Sequence, residues 1–297
     1  MAEASIYFKT EIMDSYVHAL QTGGSLLMGT ARRGDVKAKT VEFPIIMKSN
    51  QVRKLTGALS EVVKTTGGFD KATVDMDDYE TDPRFIFTPD LEKLSPNLKQ
   101  GLKESLQMDV GRKHDMLQWN ALAAYTADAA SDFGAAGDTI DPIMFSEAKA
   151  SIGATGGMRP GMIFAGLPSM QMEQMKLYRE FNNADYTGPD LPFTKASTEK
   201  KTWNGINFIV LPDEYFSGPD GNNWYSYLWQ ADCIGVESNW GDLPTVWQDP
   251  NMQGNPWAIK IGFGGAAVGI LRDGVKRLIF KKQTSLSRIP VLTKAAA

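Results

Sequence analysis

A single cysteine, Cys233, in 297 residues excludes an internal disulfide and a thiolate metal cluster, and it matches a chain made in a reducing cytoplasm. A lone cysteine of this kind reads as a small buried apolar residue. Histidine is almost as scarce: His18 and His114 are the only two, which limits any imidazole-based catalysis or zinc site. Neither G-x-S-x-G, H-E-x-x-H nor G-x-x-x-x-G-K-[ST] occurs, although Gly156 to Gly161 has the Walker glycine spacing without its lysine. No window approaches the roughly 18 uninterrupted apolar residues of a membrane span. The N-terminal "MAEASIYFKTEIMD" has acids where a secretory signal carries bases, and it has no apolar core, so secretion by that route is not expected. Nor is there an excess of positive charge. With 31 Lys and Arg against 35 Asp and Glu, the net charge of −4 gives no general attraction to nucleic acid or to an anionic membrane.

What is present is an order of dissimilar parts. Residues 1–35 join an amphipathic piece to the glycine-broken "QTGGSLLMGTARRGD", which reads as an arm with little core of its own. From Lys37 to Thr88 strand signals dominate. "AKTVEFPIIMK", a polar stretch containing Gly67-Gly68, and the alternating "ATVDMDDYETDPRFIF" predict a long two-stranded ribbon. An isolated ribbon is marginal in water, so this one needs another surface to lie on.

Ser95-Pro96 marks a helix start, and no proline follows for more than forty residues. Leu98, Leu102, Leu106, Val110, Leu117, Ala121 and Ala124 trace one apolar stripe. The spacing predicts about 50 Å of helix, bent or broken near Gly111. Beyond "FGAAGDT" the chain alternates. "PIMFSEAKASIG" and "PSMQMEQMKLYREF" read as helix, and "GMIFAG" and "KTWNGINFIVLP" as strand, giving a mixed α/β body. Between residues 203 and 257 stand Trp203, Trp224, Trp229, Trp240, Trp247 and Trp257, a density that belongs in a core or a subunit interface.

Four stretches invite a chemical reading. Gly262-Phe263-Gly264-Gly265-Ala266-Ala267 spells G-x-G-x-x-A, close to a dinucleotide fingerprint. That fingerprint requires a helix opening at its glycines and an acid about 20 residues on. Here "AVGIL" leans to strand, Asp273-Gly274 to a turn and "VKRLIF" to a second strand. The glycines are therefore expected to permit close backbone packing at Gly264 and Gly265. Asp75, Asp77, Asp78, Glu80 and Asp82 form an acidic cluster, but Glu80 and Ile86 occupy the positions where a calcium loop needs Gly and Glu. Met170, Met172 and Met175 read as adaptable packing. His114, in "GRKHDML", is expected at a surface or interface, and a Cys233/His114 nucleophile pair has no local support. Six bases and no acid follow Asp273, the pattern of a solvated tail. No catalytic, cofactor-binding or metal-ligating set is assigned.

The order of parts, with "VEFPIIMK", "VDMDDYETDPRFIF", "GRKHDMLQWNALAA", "KTWNGINFIVLP" and "GAAVGILRDGVKRLIF", resembles the major capsid proteins of tailed bacteriophages, over nearly the whole chain. The resemblance implies an α+β chain of the Hong Kong 97-type fold. Residues 1–38 would be the N-terminal arm, 39–92 the extended β-ribbon or E-loop, and 93–135 a peripheral domain with the spine helix. Residues 136–256 would be a mixed α/β axial domain, and 257–297 the return strands of the peripheral domain and a C-terminal tail. It further implies a structural protein, not an enzyme, without cofactors, that self-assembles as hexamers and pentamers into an icosahedral shell around double-stranded DNA. DNA would be met only by weak, non-specific contact, and no membrane is involved. A separate scaffolding protein is implied, because no long charged prefix precedes the arm, together with a portal and a decoration protein. The virion is the implied location, with assembly in the host cytoplasm. Two alternatives stay open from the residues: an encapsulin-like compartment shell, and a dinucleotide-dependent enzyme built on Gly262 to Ala267.

Overall fold

The computed structural model describes residues 24–37, 39–46, 68–86, 96–126, 132–182, 200–239 and 245–287. Residues 1–23 of the expected arm, 47–67 and 87–95 of the expected ribbon, and 288–297 of the expected solvated tail lie outside these.

Strands β1 (Asp35–Lys37), β2 (Thr40–Ile46) and β3 (Phe69–Asp75) form an antiparallel sheet of their own in that order. This is the expected ribbon: β2 and β3 pair from Thr40 opposite Asp75 to Ile46 opposite Phe69. Strands β4 (Asp77–Glu80) and β5 (Arg84–Ile86) carry the chain back into the body. Helix α1 (Pro96–Tyr125) follows, beginning at the proline that the sequence marks. At about 1.5 Å per residue its 30 residues reach some 45 Å. It is one continuous helix, so of the bend or break expected near Gly111, a break does not occur. Gly111 serves a crossing instead: a Cβ there would stand 2.9 Å from the backbone of Gly24 and Ser25, which run over the helix at that point.

The apolar stripe is also only half right. Leu106 and Val110 are buried, Leu117 and Ala121 partly so, and Ala124 is exposed. The buried face swings toward His114, Asp115, Gln118, Trp119 and Leu122, because the C-terminal half of α1 is covered by two layers instead of one. Leu106 and Val110 pack with Val246, Ile259, Ile261 and Phe263, whereas Trp119 and Leu122 enter the main core.

That main core belongs to a six-stranded mixed sheet, in the order β6 (Asp132–Phe133), β15 (Val275–Lys281), β10 (Asn223–Gln230), β7 (Ile163–Pro168), β9 (Ile206–Leu211), β8 (Lys200–Trp203). Helices α2 (Pro142–Ala154), α3 (Ser169–Met175) and the short α4 (Arg179–Asn182) lie with it. Asp141 caps α2 by accepting from the Met144 amide at 2.8 Å, with Pro142 at the first turn, where a missing N–H costs nothing. The stretch "KTWNGINFIVLP", expected as one strand, is a hairpin. Asn204 (φ 49°) and Gly205 (φ 71°) turn β8 back onto β9. Asn-Gly is the pair that a two-residue turn with both φ positive demands.

Two smaller sheets complete the body. Strands β11 (Ile234–Asn239), β14 (Gly262–Gly269) and β4 form one, and β12 (Thr245–Gln248), β13 (Trp257–Lys260) and β5 the other. The closing strands β14 and β15 thus stand in different sheets. A turn of 3-10 helix at Arg272–Gly274 passes the chain from the sheet under α1 to the six-stranded one.

Candidate functional site

The ribbon has two unlike faces. Val41 and Phe43 point inward and are fully buried with Met76, Ala266 and Ile270, which roots the base of the ribbon in the body. On the outer face Glu42 accepts hydrogen bonds from the Lys37 and Lys71 amino groups, each at 2.6 Å. Those two bonds hold its carboxyl down at about 2. Beyond this charged patch the outer face turns apolar. Ile46 and Phe69, directly opposite one another, are 80% and 82% exposed. A cross-strand pair of large apolar residues left in water is an unfinished contact, since full burial of either would gain about 1.5–3 kcal/mol.

The root of the ribbon meets α1 at an open groove of about 440 Å³, where Tyr79, Arg84, Asp109, Lys113 and Phe263 converge. Lys113 Nζ stands 4.8 Å above the Tyr79 ring, and Tyr79 stacks on Phe263 at 5.4 Å. These contacts tie the strands leaving the ribbon to the spine helix. The acids singled out in the sequence lie on this path. Thr40 donates to Asp75 at 2.9 Å, and Lys260 pairs with Glu80 at 2.7 Å. Among the described residues no three His, Cys, Asp or Glu side chains converge as a metal site would need.

The G-x-G-x-x-A stretch is strand throughout. Strand β14 pairs with β11 along one edge and with β4 along the other, so its amides at Gly264 and Gly265 are committed to neighbours and no helix opens there. The dinucleotide alternative is therefore not favoured, and the expected strand is what forms. The glycines serve close approach, as their context implies: a Cβ on Gly264 would lie 2.7 Å from Met76 Sδ, and one on Gly265 2.8 Å from Leu117 of α1. The Gly156 to Gly161 loop between α2 and β7 is exposed, and its Arg159 is ion-paired to Asp232.

Cys233 is buried, and burial raises its thiol to about 11, the neutral form at any physiological pH. It lies against Gly274. His114, expected at a surface or interface, is buried within the subunit beside Asp115, its Nδ1 4.0 Å from the carboxylate. Met172 and Met175 are core residues, as expected.

Sequence reasoning missed Asp115. Its side chain, fully buried, accepts from the Leu26 amide at 2.7 Å, from the Leu27 amide at 3.1 Å and from the Ser25 hydroxyl. Leu27 is itself in the main core, and Thr30 receives the Trp229 indole N–H on its carbonyl at 2.9 Å. Residues 25–30 of the expected arm are thus fastened to the body, with Leu27 inside its main core. The available signal was an acid set among apolar helix positions.

Ribbon, continuous spine helix and mixed-sheet body together define the Hong Kong 97-type fold, the architecture of a shell subunit. The chain is similar in structure to the capsid of Ralstonia phage GP4 (TM-score 0.70, 13% identity, covering 92% of this chain and 96% of that one). It is likewise similar to the capsid of cyanophage P-SCSP1u (TM-score 0.62, 10% identity, 90% and 91%) and to that of a native GTA particle (TM-score 0.62, 13% identity, 91% and 94%). No curated protein matches it in sequence. A family model described as phage capsid protein matches residues 7–280, and the chain belongs to that family. It is a major capsid protein, a structural protein of the virion whose copies form the shell, and this favours the viral shell over the encapsulin-like compartment.

Proposed function

We propose that this subunit assembles as hexamers and pentamers into an icosahedral shell that encloses packaged double-stranded DNA, and that it has no catalytic activity. The observation that carries the reading is the ribbon: rooted by Val41 and Phe43, yet presenting Ile46 and Phe69 to water. In a closed shell of identical copies such a pair is covered by a neighbour, and the ribbon becomes part of the contact that holds the shell. A net charge of −4 supports only weak, non-specific contact with the packaged DNA.

The proposed division keeps residues 1–38 as arm, 39–92 as E-loop, 93–135 as the spine-helix region, 136–256 as axial domain and 257–297 as return strands and tail. Strand β15 is then the element that crosses back into the axial sheet. A separately encoded scaffolding protein and a portal are the proposed partners, a decoration protein a further one, and the host cytoplasm the place of assembly. Electron microscopy of the expressed chain, with and without a scaffolding partner, tests this. Closed particles are expected, and a chain that stays monomeric under both conditions would overturn it.

A further inference from the structure

Residues 25–34 are held to α1 and β11 by a chain of hydrogen bonds. Beyond the three donors that Asp115 accepts, Gln118 Nε2 donates to Thr30 Oγ1 at 2.8 Å, and the Thr30 hydroxyl passes its own hydrogen to the Leu27 carbonyl at 2.7 Å. Further along, the Val236 amide donates to the Arg32 carbonyl at 2.9 Å, and the Gly34 amide to Glu237 Oε2 at 3.2 Å. One group within this chain is left over. Gln118 is 1% exposed, and its Oε1 is buried with no hydrogen-bond partner among the described residues. Its orientation is fixed by Thr30: a hydroxyl whose single hydrogen is spent on Leu27 can only accept, so the amide must turn its NH2 toward it. Leaving the oxygen without a donor is costly enough that folded proteins almost always satisfy it.

Gln118 also lines a cavity of about 20 Å³ between the turn at 27–33, α1 and β11. Met28 and Arg33 on its lining are exposed, whereas His114, Gln118 and Val236 are buried, so the cavity runs inward from the surface to the spine helix. Glu237 of β11 lines it as well. Its carboxylate already accepts from Gly34 and, at 3.3 Å, from the Ser238 amide, but two carboxylate oxygens offer about four acceptor positions, so it takes a further donor. A bound water needs about 10–15 Å³ and two to four polar partners, and this cavity supplies both. We propose that it binds one water, which donates one hydrogen to Gln118 Oε1 and the other to the Glu237 carboxylate. The water joins α1 to β11 beneath residues 27–33, and completes the polar clasp that holds the base of the expected arm on the body.

A double-mutant cycle with Val236→Ile and Gln118→Met, read by urea unfolding of the unassembled full-length subunit, tests this. Val236 is buried and lines the cavity, and the extra methylene of isoleucine takes up the space of the water. In the parent background Val236→Ile expels the water and strands Gln118 Oε1, so the unfolding equilibrium constant is expected to rise about ten-fold, the factor carried by one ordinary hydrogen bond. In the Gln118→Met background the acceptor is gone, and the same substitution is expected to be neutral or stabilising. Val236→Ile that stabilises the parent or leaves it unchanged would overturn the proposal, because filling a dry cavity does not cost stability. An equal loss in both backgrounds would also overturn it, as overpacking alone. A structure of the assembled particle at a resolution that shows buried waters gives a second reading. A solvent peak about 2.7–3.0 Å from both Gln118 Oε1 and the Glu237 carboxylate is expected, and its absence would overturn the proposal.

Discussion

Strands β10 and β2 are each paired on both edges, but they differ in what covers their faces. In β10 nearly every residue of Asn223–Gln230 is buried, because α1 and the surrounding aromatics close over the six-stranded sheet. Trp119 of α1 sits there edge-on to Phe216, Tyr227 and Trp229, with ring centroids at 5.1, 4.8 and 6.3 Å. In β2 only the base is covered, and exposure grows toward Ile46. The body is stable by its own packing, whereas the outer face of the ribbon is stabilised only by what it meets. Changes in the body should therefore act on the isolated subunit, and changes at the ribbon's outer face on the assembled shell.

Trp119→Ala should have the largest effect on the isolated subunit, a loss of about 3–5 kcal/mol from the cavity left among three aromatic rings, read from urea unfolding. Gly264→Val comes next. Its branched side chain meets Met76 at a separation no Cβ tolerates, but a methionine yields more readily than backbone, so about 1–3 kcal/mol is expected in the same measurement. Adding NAD should leave the melting temperature of both Gly264→Val and parent chains unchanged. The smallest effect belongs to Glu42. Its carboxyl is held at about 2 instead of the usual 4.5, so the contribution of its two lysine bonds is fully present above pH 4.5 and is lost as the pH falls toward 2. These groups are in water, so the change is confined to slightly faster amide exchange in β2 and β3 across that window. Glu42→Gln should abolish that pH dependence.

Much of this division is legible in the sequence, and the exceptions are instructive. The ribbon could be read because the alternation of "TVEFPII" and "FDKATVD" is a local, period-two signal, and Pro96 because a helix start is local too. The glycines of β14 were legible by elimination, since no helix could open after them. The face of α1 beyond Val110 was not legible. His114, Asp115 and Gln118 are buried only because residues 24–30 fold back over the helix, a contact spanning some 90 positions that no periodicity encodes. Gln174 is hidden for the same reason, as its partner arrives from residue 287. The hairpin at Asn204-Gly205 was different: its signal was local and present, but lay inside an apolar run that read as one strand.

The central claim is that the outer apolar pair of the ribbon serves the shell and not the subunit. The double variant Ile46→Ser, Phe69→Ser measures it directly, with urea unfolding of the subunit and particle yield by electron microscopy determined on the same preparation. The account predicts a subunit within about 0.5 kcal/mol of the parent, as for ordinary surface changes, and a severe loss of closed particles. A subunit destabilised by several times that amount, or particles formed in full yield, would contradict it.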